Sequence, residues 1–372
     1  MTTSTNPILS IDRGARRRLG LLLGALAIVA VACGGGATAS PGATPSDGAG
    51  TPGASATPAA PSPTPAPPVE LTVGLGYIPS VQFAQFYLAE QEGYYREAGL
   101  EVTFLNKIDP ELVTLVGQGA VDVGVADGTS VITAVSQGIP VRYIFTVYAD
   151  FPSIVFAKAS SGISATTDLA DRKIGIPGRF GSSWIQLQVL LDGVGLTPDA
   201  VEIVPFPDFG QRAALEQGVV DAATGFVNNE PVRLEFAGTP TVVLTLPDED
   251  QLPGNGLIAG QATLDGPKAD AIRAFVAATR RATEEIVADP EKGLGAAIAR
   301  IPELESEREI QLEIMKATIA TWQNDNTAAN GIGAVDAAAW ERSIDVMSAL
   351  PDSPVARVVT AAECVDTTFG AE

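Results

Sequence analysis

One block of this sequence recurs at a nearly constant spacing, and that limits the chain to two similar halves. Gln118-Gly119-Ala120-Val121-Asp122 lines up with Gln217-Gly218-Val219-Val220-Asp221, 99 residues later. Upstream, Val73-Gly74-Leu75 matches Ile174-Gly175-Ile176 at an offset of 101, and Gly99-Leu100 matches Gly195-Leu196 at 96. Downstream, Gly138-Ile139-Pro140-Val141 matches Gly238-Thr239-Pro240-Thr241. The landmarks keep one order in both halves. Duplication and convergent packing of Gly-rich turns both lead to the same architecture, two like lobes.

Within each half, short β-rich runs alternate with helical stretches. Leu71–Gly76, Glu101–Leu105, Val121–Ala126 and Arg142–Val147 read as strands; Gln82–Ala98, Pro110–Gln118 and Thr129–Gln137 read as helices. Such alternation implies parallel βαβ units and an α/β fold. Ser153–Ala159 and Gly256–Ala262 are the candidate strands by which the chain leaves the first lobe and returns. The resulting division is lobe one at 70–155 and 260–372 and lobe two at 156–259. After Gly260, Lys268–Ala288, Glu303–Trp322 and Val335–Met347 carry apolar residues at helical spacing. They are expected to pack on lobe one, with the last reaching back across the hinge.

The amino-terminal segment has another character. Arg13, Arg16, Arg17 and Arg18 precede an apolar run, Leu19 to Ala32, that is too short to span a bilayer. This pattern is that of a secretory signal peptide over 1–32. Val31-Ala32 before Cys33 resembles a bacterial lipobox, with Ala30 in place of the usual Leu. Cleavage there makes Cys33 an acylated first residue that tethers the protein to a membrane; the alternative is an ordinary signal peptide with an incidental Cys. Residues 33–69, dominated by Pro, Gly and Ala with Asp47 the only charge, read as a disordered linker.

Composition excludes several chemistries. The net charge of −21, without a basic tract, argues against nucleic acid as a partner. With no His, Ser-His-Asp and Cys-His sites are absent; with two Cys, so are a disulfide framework and a Cys-rich metal site. No catalytic residue, metal or cofactor is expected. In open α/β sheets, ligands bind beyond the carboxyl ends of the strands, and nine of the 22 aromatic residues fall there. They are Tyr77, Phe83, Tyr148, Phe151, Phe180, Trp184, Phe206, Phe209 and Phe226. Polar groups share these turns: Gln82; Asp127 to Ser130; Gly178 to Ser183, where Ser182 or Ser183 is placed to cap a helix; and Asn228-Asn229-Glu230. Only Arg179 and Arg212 are cations on suitable turns. A flat, neutral or weakly cationic heterocycle therefore fits better than an anion.

Residues Glu70 to about Leu350 resemble the solute-binding proteins of bacterial ABC importers. The residues that carry the likeness are Gly76 to Ala84, Glu92 to Val102, Gly119 to Asp122, Asp168-Leu169, Lys173 to Gly175 and Gly331 to Trp340. Within that family the branch is the one that includes thiamine-pyrimidine, taurine, alkanesulfonate and riboflavin binders. Pro79 to Phe83, Gly175 to Gly181 and Asn228 to Val232 look most like the riboflavin-binding lipoproteins. The resemblance implies a type II periplasmic-binding-protein fold, two doubly wound lobes with a ligand cleft between them, and hinge closure on the ligand. It also implies a monomer, anchored by lipid on the extracytoplasmic face of the cell membrane, that captures riboflavin and delivers it to an ABC permease. By analogy, Tyr77, Phe83 and Phe180 sandwich the ring, and Asp127, Ser182, Asn228, Asn229 and Glu230 hold its polar edge. Gln82, Tyr148, Arg179 and Gly181 complete the candidate set. The alternative ligand is a thiamine precursor of the hydroxymethylpyrimidine type, or another small aromatic or sulfonate solute. The pyrimidine binders carry an Asp-Trp where this chain has Gly76-Tyr77, and a His that it lacks. Pyrimidine-synthesising enzymes of eukaryotes share the fold but use His and Cys side chains missing here.

Overall fold

The computed structural model describes residues 67–108 and 111–370. The signal peptide, Cys33 and the linker up to residue 66 lie outside the described residues. The first lobe contains β1 (Val69–Leu75), α1 (Ala84–Gln91), α2 (Tyr94–Glu97), β2 (Leu100–Asn106), α3 (Glu111–Gly117), β3 (Val123–Asp127), α4 (Gly128–Ser136) and β4 (Val141–Thr146). The second contains β5 (Ser153–Lys158), β6 (Lys173–Ile176), α5 (Gly181–Asp192), β7 (Glu202–Pro205), α6 (Gln211–Glu216), β8 (Ala222–Phe226), α7 (Glu230–Phe236) and β9 (Thr241–Leu244). The chain returns through β10 (Asn255–Gly260) to α8 (Gln261–Leu264), α9 (Ala269–Ala288), α10 (Pro290–Arg300), α11 (Arg308–Thr321), α12 (Asp325–Asn330), α13 (Ala337–Ala349) and α14 (Ala361–Cys364).

The two sheets have the same plan, β2-β1-β3-β10-β4 and β7-β6-β8-β5-β9. Even the register repeats. Val73 pairs with Phe104 and Val123, while Ile174 pairs with Ile203 and Ala222. The recurring Gln-Gly-x-Val-Asp block explains why. Gly119 and Gly218 take the left-handed conformation, at φ of 71° and 72°, that ends the preceding helix. The Asp that follows then fixes the strand pairing: Asp122 Oδ2 accepts the N–H of Thr72, and Asp221 Oδ2 that of Lys173, each at 2.9 Å.

The strands are not all parallel. β10 runs antiparallel to β3 and β4, and β5 antiparallel to β8 and β9. A chain that crosses at the cleft enters the next sheet from the carboxyl ends of its strands, so it has to run against them. The expected lobe boundaries shift for the same reason. β5, including Ser153–Val155, belongs to the second sheet, and β10, expected in lobe two up to residue 259, belongs to the first. The helix expected over Gln82–Ala98 is a 3-10 turn (Val81–Phe83), then α1, then α2, broken at Gly93 where φ is +79°. Glu303–Trp322 likewise divides into a 3-10 stretch, Pro302–Glu307, and α11.

One core lies under the first sheet, where Phe86 of α1 and Tyr95 of α2 stack on Phe275 of α9 at 6.3 and 5.0 Å. A second core runs through both lobes. Ile132 of α4, Leu187 and Leu191 of α5, and Trp340, Ile344 and Met347 of α13 belong to it, so α13 packs on the second lobe as well as the first. Where the chain crosses between lobes, the amides of Val147 and Tyr148 both donate to the carbonyl of Asn255, which holds the two connections side by side. Asp122→Ala removes both the Thr72 amide acceptor and the 2.8 Å ion pair with Lys268. It is expected to cost about 1.5–3 kcal/mol by denaturant unfolding, and Asp221→Ala, with no such cation, is expected to cost less.

Candidate functional site

The carboxyl ends of β1, β3, β6 and β8 face one another across a cavity of about 110 Å³. Of the twelve candidate residues, Tyr77, Gln82, Phe83, Asp127, Tyr148, Phe180, Gly181, Ser182, Asn229 and Glu230 line it. Arg179 and Asn228 do not. Arg179 is exposed and its guanidinium lies 4.9 Å from the ring centroid of Trp184, so it turns away from the cavity. Asn228 is wholly buried behind the wall. Ile108, Gln211 and Asn255 also line the cavity. Ile108 follows the end of β2 and Gln211 opens α6 beyond β7, but neither is aromatic or part of a turn motif, and Asn255 begins the returning strand β10, so no local pattern marked them. Phe209 and Phe226, part of the aromatic set at the strand ends, line it as well; Phe151, Trp184 and Phe206 do not.

Tyr77 of the first lobe and Phe209 of the second meet edge to face, with ring centroids 4.7 Å apart and planes at 82°. Phe209 has φ of +60°, a left-handed conformation that costs a bulky residue of the order of 1–3 kcal/mol. The fold retains that strain at the place where the ring reaches across the cleft. Phe226 continues the aromatic wall, 6.0 Å from Tyr148.

Among the described residues, two carboxyl groups face the cavity, one per lobe. Asp127 Oδ2 accepts the N–H of Ser182 at 2.7 Å, and its Oδ1 accepts from the side-chain amide of Asn255. The expectation that Ser182 or Ser183 caps α5 is therefore corrected. The residue before the helix is Phe180, which makes no side-chain cap, and the cap comes from Asp127 in the other lobe. Gly181 permits this by adopting φ of +64°. Glu230 opens α7, where its Oε2 accepts the N–H of Phe226 at 2.8 Å. Asn229 donates to Glu230 and accepts from Arg233. Burial raises the pKa of both carboxyls above the ordinary range. Bonds from Ser182 and Asn255 oppose this at Asp127, and the Phe226 amide opposes it at Glu230.

Behind the wall, a buried junction joins the lobes to the hinge. The Asn228 amide donates to Thr318 Oγ1 at 2.8 Å and to Gln82 Oε1 at 3.1 Å, and the Tyr148 hydroxyl donates to the same Gln82 oxygen at 3.0 Å. Asn228 lies in lobe two; Gln82 and Thr318 lie in lobe one; Tyr148 lies on the crossing segment. Separating the lobes breaks the two Asn228 bonds. With Asp127–Ser182 and Tyr77–Phe209 also in contact, the molecule is in a closed form.

Two sheets of matching topology with an aromatic and polar cavity at their facing ends define a two-lobed solute-binding protein. The NMT1/THI5-like family model matches residues 80–293, and the chain belongs to that family. It is 33% identical to the riboflavin-binding protein RibY of Chloroflexus aurantiacus over 75% of this chain and 80% of that one. It is 29% identical to the 4-amino-5-hydroxymethyl-2-methylpyrimidine phosphate synthase of Legionella pneumophila over 60% of this chain and 71% of that one. Among solved structures, the alkanesulfonate-binding protein SsuA of Xanthomonas axonopodis pv. citri superposes with a TM-score of 0.64 at 16% identity, covering 82% of this chain and all of that one. That last likeness establishes the type II periplasmic-binding-protein fold.

Asn228→Ala deletes the lobe-two donor of the buried junction, so Thr318 Oγ1 loses its donor and Gln82 Oε1 keeps only the Tyr148 hydroxyl; a loss of about 1–3 kcal/mol is expected in urea unfolding. Glu230 gives a pH signature. Because its folded pKa is raised, the stability it contributes is present below its unfolded pKa of about 4.3 and is lost as pH rises through the folded value. Glu230→Gln removes that titration. The Tm of the variant relative to the native protein is therefore expected to rise as pH increases from the ordinary glutamate range through the raised folded value, in differential scanning calorimetry.

Proposed function

We propose that this protein is the riboflavin receptor of an ABC importer, capturing the vitamin on the extracytoplasmic side and passing it to a membrane permease. The observation that carries the reading is the apposition of Tyr77 and Phe209 over a cavity whose wall offers Gln82, Gln211, Asn229, Asn255 and two carboxyl groups. Rings on both sides of a slot suit a planar guest, each stacked pair contributing about 0.5–1.5 kcal/mol beyond area burial. The polar groups suit ring N–H groups and hydroxyls. The likeness to a riboflavin-binding protein over three quarters of the chain supports the same ligand.

At about 110 Å³ the closed cavity is smaller than the roughly 300–1,000 Å³ of small-molecule sites. On this reading the ligand enters an opened form, parts the Tyr77–Phe209 pair and is then held between the lobes, with Phe180 at one side. Cys33, acylated, tethers the protein to the membrane, and residues 34–69 give the head its reach. No helix among the described residues is long and apolar enough to cross a membrane. The role is binding rather than catalysis, in line with a chain that has no His. The small closed volume favours a second ligand, a hydroxymethylpyrimidine, which needs less room.

Titration of the purified protein with riboflavin is expected to quench flavin fluorescence with a Kd in the micromolar range or below, equivalent to about 8 kcal/mol or more. Tyr77→Ala and Phe180→Ala are each expected to weaken binding by about 1 kcal/mol, roughly fivefold. Phe209→Gly relieves the left-handed strain and removes the ring, so stability is expected to hold or rise while riboflavin affinity falls. Absence of quenching together with calorimetric binding of a hydroxymethylpyrimidine selects the second ligand.

A further inference from the structure

The charges around the cavity are arranged in an unusual way. α5 is twelve residues long, begins at the cleft and has no side-chain cap from its own sequence. A helix start opening into a cleft is where an anionic ligand is ordinarily held, by free N–H groups and the helix dipole. Here the position is already taken by the protein's own Asp127, whose Oδ2 lies 2.7 Å from the Ser182 nitrogen. A Cβ on Gly181 would lie 2.9 Å from the same oxygen, so the carboxyl group is seated against backbone. Glu230 places a second acidic group on the wall from the other lobe.

Among the described residues, no Lys or Arg side chain lines the cavity. Each cation on the adjoining turns and helices already has a partner. Arg179 lies over Trp184, Lys107 pairs with Glu111 at 2.9 Å, Arg212 pairs with Glu216 at 2.7 Å, and Arg233 pairs with Glu307 at 3.0 Å while its Nε donates to the wall residue Asn229. An incoming phosphate or sulfonate would lose its hydration, meet two acidic groups and find no positive partner. A hydroxylated or N–H-bearing ring would find acceptors instead, among them the unpaired Oε1 of Gln211 and Oδ1 of Asn255.

We infer that the cavity is a charge filter which admits the uncharged form of its ligand and rejects the phosphorylated form, and that Asp127 is the residue that sets this choice. The inference rests on the reading of the cavity as the ligand site. Its consequence is that a phosphate ester must be hydrolysed by a phosphatase-type reaction outside the cell before the protein can collect the product.

The test compares riboflavin with riboflavin 5′-phosphate, followed by flavin fluorescence at fixed ionic strength. The native protein is expected to bind the phosphate about 100-fold more weakly, since like charge placed against a buried site costs several kcal/mol. Asp127→Asn retains an acceptor oxygen for the Ser182 amide but not the charge. It is expected to narrow the ratio about tenfold with a smaller change in riboflavin affinity itself. Equal affinity of the native protein for the two flavins, or a ratio unchanged in Asp127→Asn, overturns the inference. If neither flavin binds, the riboflavin reading fails by itself, and the filter is read with inorganic phosphate as the probe. Phosphate is then expected to leave the Tm of the native protein unchanged against a chloride control and to raise that of Asp127→Ala, in which the helix start is vacant. A phosphate-dependent rise in the native protein, or none in Asp127→Ala, overturns the filter.

Discussion

The buried amide of Asn228 is the contact on which the closed molecule depends. Its Nδ2 brings together Gln82, Thr318 and the Tyr148 hydroxyl, so a donor from lobe two finds its partners in lobe one and in the crossing segment. A buried amide N–H left without partners costs more than its bonds return when made, so opening this junction without a new partner for the Asn228 amide is unfavourable. Its position behind the cavity wall joins closure to occupancy. Gln82 and Tyr148 belong both to the junction and to the cavity, so whatever the cavity holds also bears on the groups that keep the lobes together.

Around that junction, the two lobes are one structural idea used twice. The Gln-Gly-x-Val-Asp block was readable in the sequence, and the structure shows its physical content, a left-handed Gly to end a helix and an Asp to set the register of the central strands. Aromatic side chains at strand ends were readable for the same reason: the topology fixes where those ends must point. What escaped the sequence was long-range. Nothing within Gly178–Ser183 indicates that the cap of α5 comes from Asp127, 55 residues away. Neither the turn of Arg179 onto Trp184 nor the burial of Asn228 has a local signature, since each depends on the neighbour that the fold supplies. The breaks at Gly93 and before Arg308 divide amphipathic stretches whose apolar spacing is continuous through the interruption, so periodicity alone ran across them.

Electrostatics then separates this cavity from its fold. The type II architecture directs helix starts into the cleft, an arrangement suited to anions, but the side chains here counter it. Asp127 covers the start of α5, Glu230 adds a second acidic group, and the neighbouring arginines are paired or stacked outside. On the proposed reading, ligand class in this protein is set apart from fold class. The backbone supplies two facing rims, and a few buried carboxyl groups and rings line the space between them.

The central claim is that a planar, uncharged solute is held between the two lobes by the aromatic pair that now touches. A crystal structure of the protein grown with riboflavin tests it most directly. The account predicts the flavin ring between Tyr77 and Phe209, the two side chains parted, and the Asp127–Ser182 and Asn228–Gln82 bonds retained. A flavin bound elsewhere on the surface, with Tyr77 and Phe209 still in edge-to-face contact, would contradict it.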